Sequence, residues 1–135
     1  MSMPFAEVIG DPIAQSKSPA IHRFWLEKLG IEAEYRATRV TEDELPEFLS
    51  DRQKDPHWRG CNVTMPLKQA VIPHLSLIEE PASSIGAVNT IYPAFDRLLV
   101  GTNTDGAGFL EPLADDLAIA HLFRMARIIG AGGAA

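Results

Sequence analysis

Short apolar runs alternate along the chain with segments in which apolar residues recur every three or four positions. The first run, Phe5–Gly10, is followed by Asp11-Pro12, and this combination is typical of a strand and its turn. The next segment begins at Ser18-Pro19 and ends at Gly30, which predicts a helix with Ser18 as its N-cap. The apolar positions of this helix, of which Trp25 is expected in the core, are Ile21, Phe24, Trp25 and Leu29.

The alternation continues toward the end of the chain. Thr41 and Glu44 fit a capping box for a second helix through Leu45 and Leu49, and Pro46 favours a start close to Glu44. A helix that begins near Asp105, with a kink at Pro112, is expected to bury Phe109, Leu110, Leu113 and Leu117. Further strands are predicted over 33–40, 60–66, 87–92, 98–101 and 126–129, and short helical pieces over 68–77. Strands that alternate with helices indicate an α/β fold with a mainly parallel sheet flanked by helices.

Composition and charge exclude several classes of protein. The 135 residues hold 12 Lys and Arg against 18 Asp and Glu, so the net charge is −6 and a nucleic-acid partner is not expected. No apolar run approaches the roughly 20 residues that span a bilayer, and the first residues lack the pattern of a signal peptide. Cys61 is the only cysteine, which excludes an intrachain disulfide and fits a cytoplasmic location.

The last residues match a dinucleotide-binding fingerprint. Gly130-x-Gly132-x-x-Ala135 follows a predicted strand, and such glycines let backbone N–H groups approach a pyrophosphate. An ordinary strand and turn explains the same pattern equally well. The helix and the ribose-binding residue that would complete the fingerprint are not part of this sequence.

Two further segments place polar side chains where a strand ends. Asn62, Thr64 and Lys68 combine an amide, a hydroxyl and an ammonium, and a lysine in such a place can transfer a proton to an oxygen. Asp105 follows another strand, where it is either an N-cap or a carboxylate that orients the ammonium of Lys68. Spacing alone favours a solvated Lys68 and does not show that the two side chains meet.

Other polar residues also have two interpretations. Ser16 and Ser18 fit turn and cap positions, but hydroxyls before a helix also suit a carboxylate ligand. Asn89 lies in an otherwise apolar strand, so its carboxamide needs partners in the backbone, in water or in a ligand. The four histidines lack metal-ligand spacing, so no metal site is predicted. Cys61 is interpreted as a buried structural thiol, and Trp58 lies in a polar loop.

Five motifs in order along the chain resemble the shikimate dehydrogenase family. They are Ile9-Gly-Asp-Pro-Ile-Ala-Gln-Ser-Lys-Ser-Pro19, Asn62-Val-Thr-Met-Pro-Leu-Lys68, Ile85-Gly-Ala-Val-Asn-Thr90, Gly101-Thr-Asn-Thr-Asp-Gly106 and Gly130-Ala-Gly-Gly-Ala134. The resemblance implies an oxidoreductase that interconverts 3-dehydroshikimate and shikimate with NADP(H), on the pathway to chorismate and aromatic amino acids. It also implies a Rossmann domain whose first strand and glycine-rich turn end this chain.

The resemblance assigns a role to individual residues. Lys68 and Asp105 are the catalytic pair that it implies. The implied substrate-binding residues are Ser16 and Ser18 for the carboxylate, and Thr64, Lys68, Asn89 and Asp105 for the ring hydroxyls. The implied cofactor-binding residues are Gly130, Ala131, Gly132, Gly133 and Ala134, together with a weak assignment of Glu80.

The same resemblance implies a domain division and leaves alternatives open. Residues 1–122 would form the substrate-binding domain and residues 123–135 the truncated start of the dinucleotide-binding domain, so we expect no activity from this chain alone. A quinate/shikimate dehydrogenase is the nearest alternative. The pair Ser16 and Ser18 resembles relatives that prefer shikimate to quinate, and it therefore favours shikimate as the substrate. A non-catalytic shikimate-binding module is another alternative. The partners that the resemblance implies are a small-molecule substrate and a second copy of the chain in a homodimer.

Overall fold

Six strands form one twisted sheet in a computed structural model that describes residues 3–117 and 127–132. The strand order is β2-β1-β3-β5-β6-β4. The strands are β1 Phe5–Gly10, β2 Glu34–Arg39, β3 Trp58–Val63, β4 Leu77–Ile78, β5 Thr90–Pro93 and β6 Leu99–Thr102. The helices are α1 Ser18–Leu29, α2 Leu45–Lys54, α3 Leu67–Ala70, α4 Ala82–Ile85, α5 Asp105–Leu110 and α6 Ala114–Leu117. Single 3₁₀ turns cover Ile72–His74, Phe95–Arg97 and Glu111–Leu113.

The sheet is mainly parallel, which confirms the predicted fold class. β1 pairs in parallel with β2 and β3, and β4 pairs in parallel with β6. Only β5 runs the other way, since it is antiparallel to both β3 and β6. β5 and β6 therefore form a hairpin inserted into an otherwise parallel arrangement.

One face of the sheet, which we call the core face, carries the main hydrophobic core. Helices α2, α3 and α4 cover this face with Leu45, Leu49, Leu67 and Ala82, all of which are buried. The strand residues that they cover are Phe5, Ile9, Trp58, Cys61, Val63, Ile91 and Leu99. Trp58 is fully buried as the first residue of β3, so its predicted place in a polar loop is wrong. The polar residues before it, such as Asp55 and His57, obscured the start of that strand.

The opposite face, which we call the open face, is much more thinly covered. Its buried apolar cluster consists of Val8, Ile13 and Tyr35, against which Leu26 of α1 packs. Other apolar residues of α1, such as Phe24 and Leu29, are exposed, and Trp25 is 52% exposed, so its expected place in the core is wrong. The periodicity identified an apolar helix face, but no described part of the chain covers that face.

The capping of the helices differs in detail from the sequence-based expectation. Helix α2 has Glu44 as its N-cap and Pro46 in its first turn, which confirms the predicted start. Helix α1 has Lys17 as its N-cap, so Ser18 is the first helical residue rather than the cap. Gly30 ends α1 with a φ of 66°, in the left-handed region that a glycine adopts without strain.

The segment after β6 also departs from the prediction. Asp105 is the first residue of α5 and Thr104 is its N-cap, so Asp105 is not the cap. The apolar residues of this segment are exposed, by 72% at Phe109, 49% at Leu110 and 39% at Leu113, so their predicted burial is wrong. As with α1, the described part of the chain leaves much of this apolar surface uncovered.

Residues 127–132 lie outside any strand, in contrast to the strand predicted over 126–129. Ile129 is 93% exposed, and a lone strand with no neighbour to pair with gains no ladder hydrogen bonds. Residue 126 and the predicted domain boundary at 122 lie outside the described residues. Within the described residues, no helix is both long and apolar enough to cross a membrane.

Candidate active site

The topology brings four chain segments to one edge of the sheet. β1, β3 and β6 run in the same direction, because β5 reverses the chain between β3 and β6. Their carboxyl ends therefore share an edge with the amino end of β5, and ligands of open α/β sheets bind at such edges. The predicted site residues at this edge are Ser16 and Ser18 after β1, Thr64 and Lys68 after β3, Asn89 before β5 and Asp105 after β6.

Lys68 and Asp105 meet, which spacing alone could not show. Lys68 Nζ donates to Asp105 Oδ2 in a short, charge-assisted hydrogen bond. The Lys68 side chain is 16% exposed, because the buried Leu67 before it anchors α3 to the core face. The Asp105 side chain is 49% exposed, so one end of the pair is open to solvent. The alternative of a freely solvated lysine is wrong.

Asn89 holds the Asp105 carboxylate from the other side. Its Nδ2 donates to Asp105 Oδ1 at 2.9 Å and to Thr104 Oγ1 at 2.8 Å. Its Oδ1 accepts the backbone N–H of Thr104 at 3.0 Å and the hydroxyl of Thr90 at 2.9 Å. The expectation that this buried carboxamide needs partners is confirmed, and all four of its hydrogen-bonding positions are used.

Asn103 fixes the loop that carries Asp105. Its side chain is buried, its Nδ2 donates to the carbonyl of Ala87 at 2.9 Å, and its Oδ1 accepts the backbone N–H of Asp105 at 2.9 Å. The loop after β6 is thereby tied to the loop before β5. Asn103 therefore fixes the backbone of Asp105, and Asn89 and Lys68 hold its carboxylate.

Thr64 is placed by a close contact between two loops. Its backbone N–H donates to the carbonyl of Ile9 at 2.9 Å, so β3 continues past its last residue alongside β1. A Cβ at Gly10 would lie 2.5 Å from Cγ2 of Thr64 and 2.8 Å from the carbonyl oxygen of Met65. Only glycine allows this approach, which brings the loop after β1 against the loop that leads to Lys68.

Ser16 and Ser18 lie at the same edge but form a separate pair. Ser16 Oγ accepts the backbone N–H of Ser18 at 3.3 Å, and both residues are half-buried. Among the described residues, no hydrogen bond joins either hydroxyl to Lys68 or Asp105. His22 connects this pair to the sheet, since its Nδ1 lies 2.9 Å from the carbonyl of Ser18 and its ring stacks on Tyr35.

The structure adds residues that the sequence-based list of site residues lacked. Asn62 appeared in the motif but not in that list, and it accepts the Tyr35 hydroxyl at 2.6 Å while donating to Thr90 Oγ1 at 3.2 Å. Thr104 contacts Asn89 directly. Thr90 ends the motif Ile85-Gly-Ala-Val-Asn-Thr90, which is the sequence signal that pointed to it. A cavity of about 360 Å³ on the open face is lined by Tyr35, Asn62 and Thr90.

Among the described residues, Glu80 forms no hydrogen bond with this group. Its carboxylate accepts the Ser83 hydroxyl and the Ser84 backbone N–H, and these hydrogen bonds lower the pKa of Glu80 below its usual value. The contacts cap α4, so the described structure gives Glu80 a local role at that helix.

The residues of the glycine-rich segment do not form a cradle for a dinucleotide in the part of it that the structure describes. Gly130, Ala131 and Gly132 are exposed and follow no strand, although the φ of 109° at Gly130 suits glycine. Gly133 and Ala134 lie outside the described residues. The fingerprint therefore stays a prediction from sequence.

Two other candidate chemistries find no support in the described residues. Between residues 3–117 and 127–132, no three His, Cys, Asp or Glu side chains are placed to hold a metal ion. Cys61 is buried on the core face, and burial raises the pKa of its thiol far above the usual value, so it does not ionise as a nucleophile must.

An ammonium and a carboxylate in contact at an accessible sheet edge can move a proton to or from a ligand oxygen. Asn89 contacts Asp105 directly, and Thr64 lies on the loop that leads to Lys68, so polar groups are present on both sides of the pair. This composition suits a small ligand rich in hydroxyls, because such a ligand is recognised by directed hydrogen bonds more than by apolar contact.

Comparisons with known proteins agree with this geometry. Residues 8–91 match the family model of the shikimate dehydrogenase substrate binding domain. The NADP(+) shikimate dehydrogenase of Sphingopyxis alaskensis is 54% identical over 98% of this chain, which covers 47% of that protein. The chain thus spans about half the length of the curated relatives it matches.

Solved structures give the same result. Shikimate 5-dehydrogenase from Thermus thermophilus, in complex with shikimate, is 40% identical with a TM-score of 0.81. That match covers 98% of this chain and 49% of the other. A ligand-free 5-ketofructose reductase from Gluconobacter sp. strain CHM43 has a TM-score of 0.79 at 30% identity, over 85% of this chain and 41% of that one. With a family model that matches most of its length, the chain belongs to the shikimate dehydrogenase family and carries that family's substrate-binding domain.

Proposed function

We propose that this chain binds shikimate and 3-dehydroshikimate and supplies the proton-transfer pair of an NADP-dependent shikimate dehydrogenase. The contact between Lys68 and Asp105, held in place by Asn89, is the observation that carries the proposal. Two similar proteins that are named for this activity, from Sphingopyxis alaskensis and Thermus thermophilus, support it.

In the direction of reduction, the Lys68 ammonium would give a proton to the carbonyl oxygen of 3-dehydroshikimate as that oxygen gains negative charge. In the reverse direction, the neutral amine would take the proton from the hydroxyl of shikimate. Asp105 would keep the ammonium oriented toward the ligand through its hydrogen bond to Nζ. The exposed side of Asp105 leaves room for a ring hydroxyl.

The remaining polar residues would bind the ligand. The hydroxyls of Ser16 and Ser18 precede and begin the twelve-residue helix α1, which favours a ligand carboxylate at that place. Thr64 would contact a ring hydroxyl, and Asn89 would do so by exchanging one of its four present hydrogen bonds for one to the ligand. All four lie at the sheet edge that holds Lys68 and Asp105.

The cofactor and domain assignments rest on sequence. We assign NADP to the part of the protein that Gly130, Ala131, Gly132, Gly133 and Ala134 begin, with residues 1–122 as the substrate-binding domain and residues 123–135 as the start of the next. Since the described glycines form no cradle, the chemistry proposed for this chain is confined to the proton. The weak assignment of Glu80, the homodimer and the cytoplasmic location stay predictions.

Calorimetry with the isolated chain tests binding. We expect shikimate to bind, and Lys68→Ala to weaken binding at least about tenfold, because an interaction with a charged group is lost. Lys54→Ala is the matched control, since Lys54 is 73% exposed and lies 4.0 Å from Asp51. Absence of binding to the wild-type chain would contradict the proposal.

The same titrations separate shikimate from related ligands. The similar structure of a 5-ketofructose reductase shows that the same fold occurs in a protein named for a different substrate. The fold alone therefore does not determine which ligand binds. We expect shikimate to bind more tightly than quinate or 5-ketofructose. Tighter binding of quinate would favour the quinate/shikimate alternative.

Turnover tests the role of Lys68. In a chimera that joins this chain to the remaining half of the Sphingopyxis alaskensis enzyme, Lys68→Ala should lower kcat about 100-fold or more. An effect on KM alone would reduce Lys68 to a binding residue. Shikimate binding by the chain without turnover in the chimera would favour a non-catalytic binding module.

A further inference from the structure

A continuous series of hydrogen bonds leads from β2 to the Lys68–Asp105 pair. Tyr35 contacts Asn62 at 2.6 Å, Asn62 contacts Thr90 at 3.2 Å, and Thr90 contacts Asn89 at 2.9 Å. Asn89 then reaches Asp105 at 2.9 Å. The series runs from the edge strand β2, across β1, β3 and β5, to the loop after β6.

The direction of every bond in this series is determined from its Asp105 end. The backbone N–H of Thr104 can only donate and the Asp105 carboxylate accepts, so Asn89 presents Oδ1 to Thr104 and Nδ2 to Asp105. Thr90 must then donate its one proton to Asn89 Oδ1 and accept from Asn62 Nδ2.

The same reasoning fixes Asn62 and Tyr35. Since Asn62 turns Nδ2 toward Thr90, its Oδ1 faces Tyr35, whose hydroxyl donates. Tyr35 is suited to be a constant donor, because its side chain is buried and burial raises the pKa of its phenol far above the usual value. Its phenol reaches across β1 beside the small side chain of Ala6, its register neighbour.

Tyr35 also contacts the segment that carries the serines. Its ring stacks on His22 with a centroid separation of 3.9 Å and an interplanar angle of 7°. His22 Nδ1 lies 2.9 Å from the carbonyl of Ser18, which can only accept, so this nitrogen carries the proton. Tyr35 is thus connected to both groups of predicted site residues, to Ser18 through His22 and to Asn89 through Asn62 and Thr90.

We propose that Tyr35 is a positioning residue, which acts through Asn62 and Thr90 to orient Asn89 and Asp105 and through His22 to hold Ser18. Without its hydroxyl, the Asn62 carboxamide can turn over and present Oδ1 to Thr90. The Thr90 proton would then go to Asn62, and Asn89 would lose one of the two donors that orient it. The link to ligand binding rests on the proposed function, whereas the link from Tyr35 to Asn89 does not.

Tyr35→Phe tests this inference because it removes the donor and keeps the ring that stacks on His22. In NMR spectra of the ligand-free chain, we expect the side-chain amide resonances of Asn62 and Asn89 to shift. The side-chain amide of Gln53, which donates to the carbonyl of Arg97 at 2.9 Å and takes no part in the series, is the internal reference and should not shift. An unchanged Asn89 resonance would overturn the proposal.

Tyr92→Phe is the matched control, since it removes a phenol hydroxyl that interacts with Glu79 and takes no part in the series. We expect this variant to leave the Asn89 resonance unchanged. Equal shifts at Asn89 in both variants would show a general disturbance of the sheet and would count against a specific role for Tyr35.

A double-mutant cycle measures the effect on the ligand. Tyr35→Phe should lower the melting temperature, because a buried hydrogen bond is lost, and should weaken shikimate binding about fivefold at a temperature where both proteins are fully folded. In the Asn62→Ala background, Tyr35→Phe should add no further loss. Effects that multiply would show that Tyr35 does not act through Asn62, and would overturn the proposal.

Failure of the two proposals is distinguishable. If the wild-type chain binds no shikimate, the proposed function fails, while the resonance of Asn89 in Tyr35→Phe still decides whether the hydrogen bonds are coupled. If shikimate binds and Asn89 does not respond to Tyr35→Phe, the proposed function stands and the positioning role of Tyr35 is lost.

Discussion

Side chains along the strands point alternately to the two faces of the sheet, and the two faces carry different kinds of residue. On the core face, α2, α3 and α4 bury large apolar residues such as Leu45, Leu49 and Trp58. On the open face, three apolar residues are buried, and a row of polar side chains from Tyr35 to Thr90 runs beside them. Stability is therefore concentrated on one face, and the groups that orient the site lie on the other.

The largest expected effect sharpens this difference. Leu45→Ala should lower the free energy of unfolding by about 2–5 kcal/mol, because a fully buried side chain leaves a cavity. Leu29→Ala, at a position 70% exposed on α1, should cost less than about 0.5 kcal/mol. Urea denaturation of the two variants measures both values. Equal losses would show that α1 is packed as firmly as α2.

A buried charge on the core face should give the next effect. Glu7 is fully buried and accepts Arg52 Nε at 2.6 Å and the Thr38 hydroxyl at 2.5 Å. Arg52→Ala leaves this carboxylate without its cation, and we expect a loss of about 3 kcal/mol in unfolding free energy. Arg39→Ala breaks the exposed pair with Asp11 and should cost no more than about 1 kcal/mol. Similar losses in both variants would contradict the distinction.

The ion pair of the site should matter little for stability. Asp105 is half-exposed in its contact with Lys68, so Lys68→Ala should change the unfolding free energy by no more than about 1 kcal/mol. Thermal and urea denaturation, beside the binding measurements, would separate the two properties. A loss as large as that of Arg52→Ala would make Lys68 a structural residue.

The smallest effect concerns the pH dependence of stability at α2. The backbone N–H of Thr41 donates to the Glu44 carboxylate at 2.8 Å, and this bond and the Thr41 hydroxyl lower the pKa of Glu44. The stabilisation is present above the pKa of the unfolded state and is lost as the pH falls through the folded pKa. Wild type should therefore exceed Glu44→Gln in melting temperature near neutral pH, and the difference should shrink in acid. Parallel melting curves at all pH values would contradict this.

The core face could be predicted from the sequence better than the open face. Apolar runs and capping residues indicate where β1 and α2 lie, because those signals are local. Whether each of the two tryptophans is buried depends on parts of the chain that are distant in sequence. Trp25 has helical spacing and is exposed, whereas Trp58 follows polar residues and is buried. Periodicity identifies an apolar surface but not the element that covers it.

The candidate site shows the same division. The positions of Lys68 and Asp105 after strands could be predicted, and the family resemblance paired them before their contact was known. Tyr35 could not be found in this way. Its contact with Asn62 depends on the register of three strands and on a phenol long enough to cross the middle one.

The reversed strand β5 has a consequence for how accurately the site is built. Asn89 directly precedes β5 and Asp105 follows β6, and these two strands form a hairpin in which Thr90 pairs with Thr102. The pairing of β5 with β6 therefore sets the position of Asn89 relative to Asp105. A slip of one residue in that ladder would turn Thr90 to the other face and break its contacts with Asn62 and Asn89. The geometry of the Lys68–Asp105 pair therefore depends on backbone pairing, so an error of register would disrupt it in one step rather than distort it gradually.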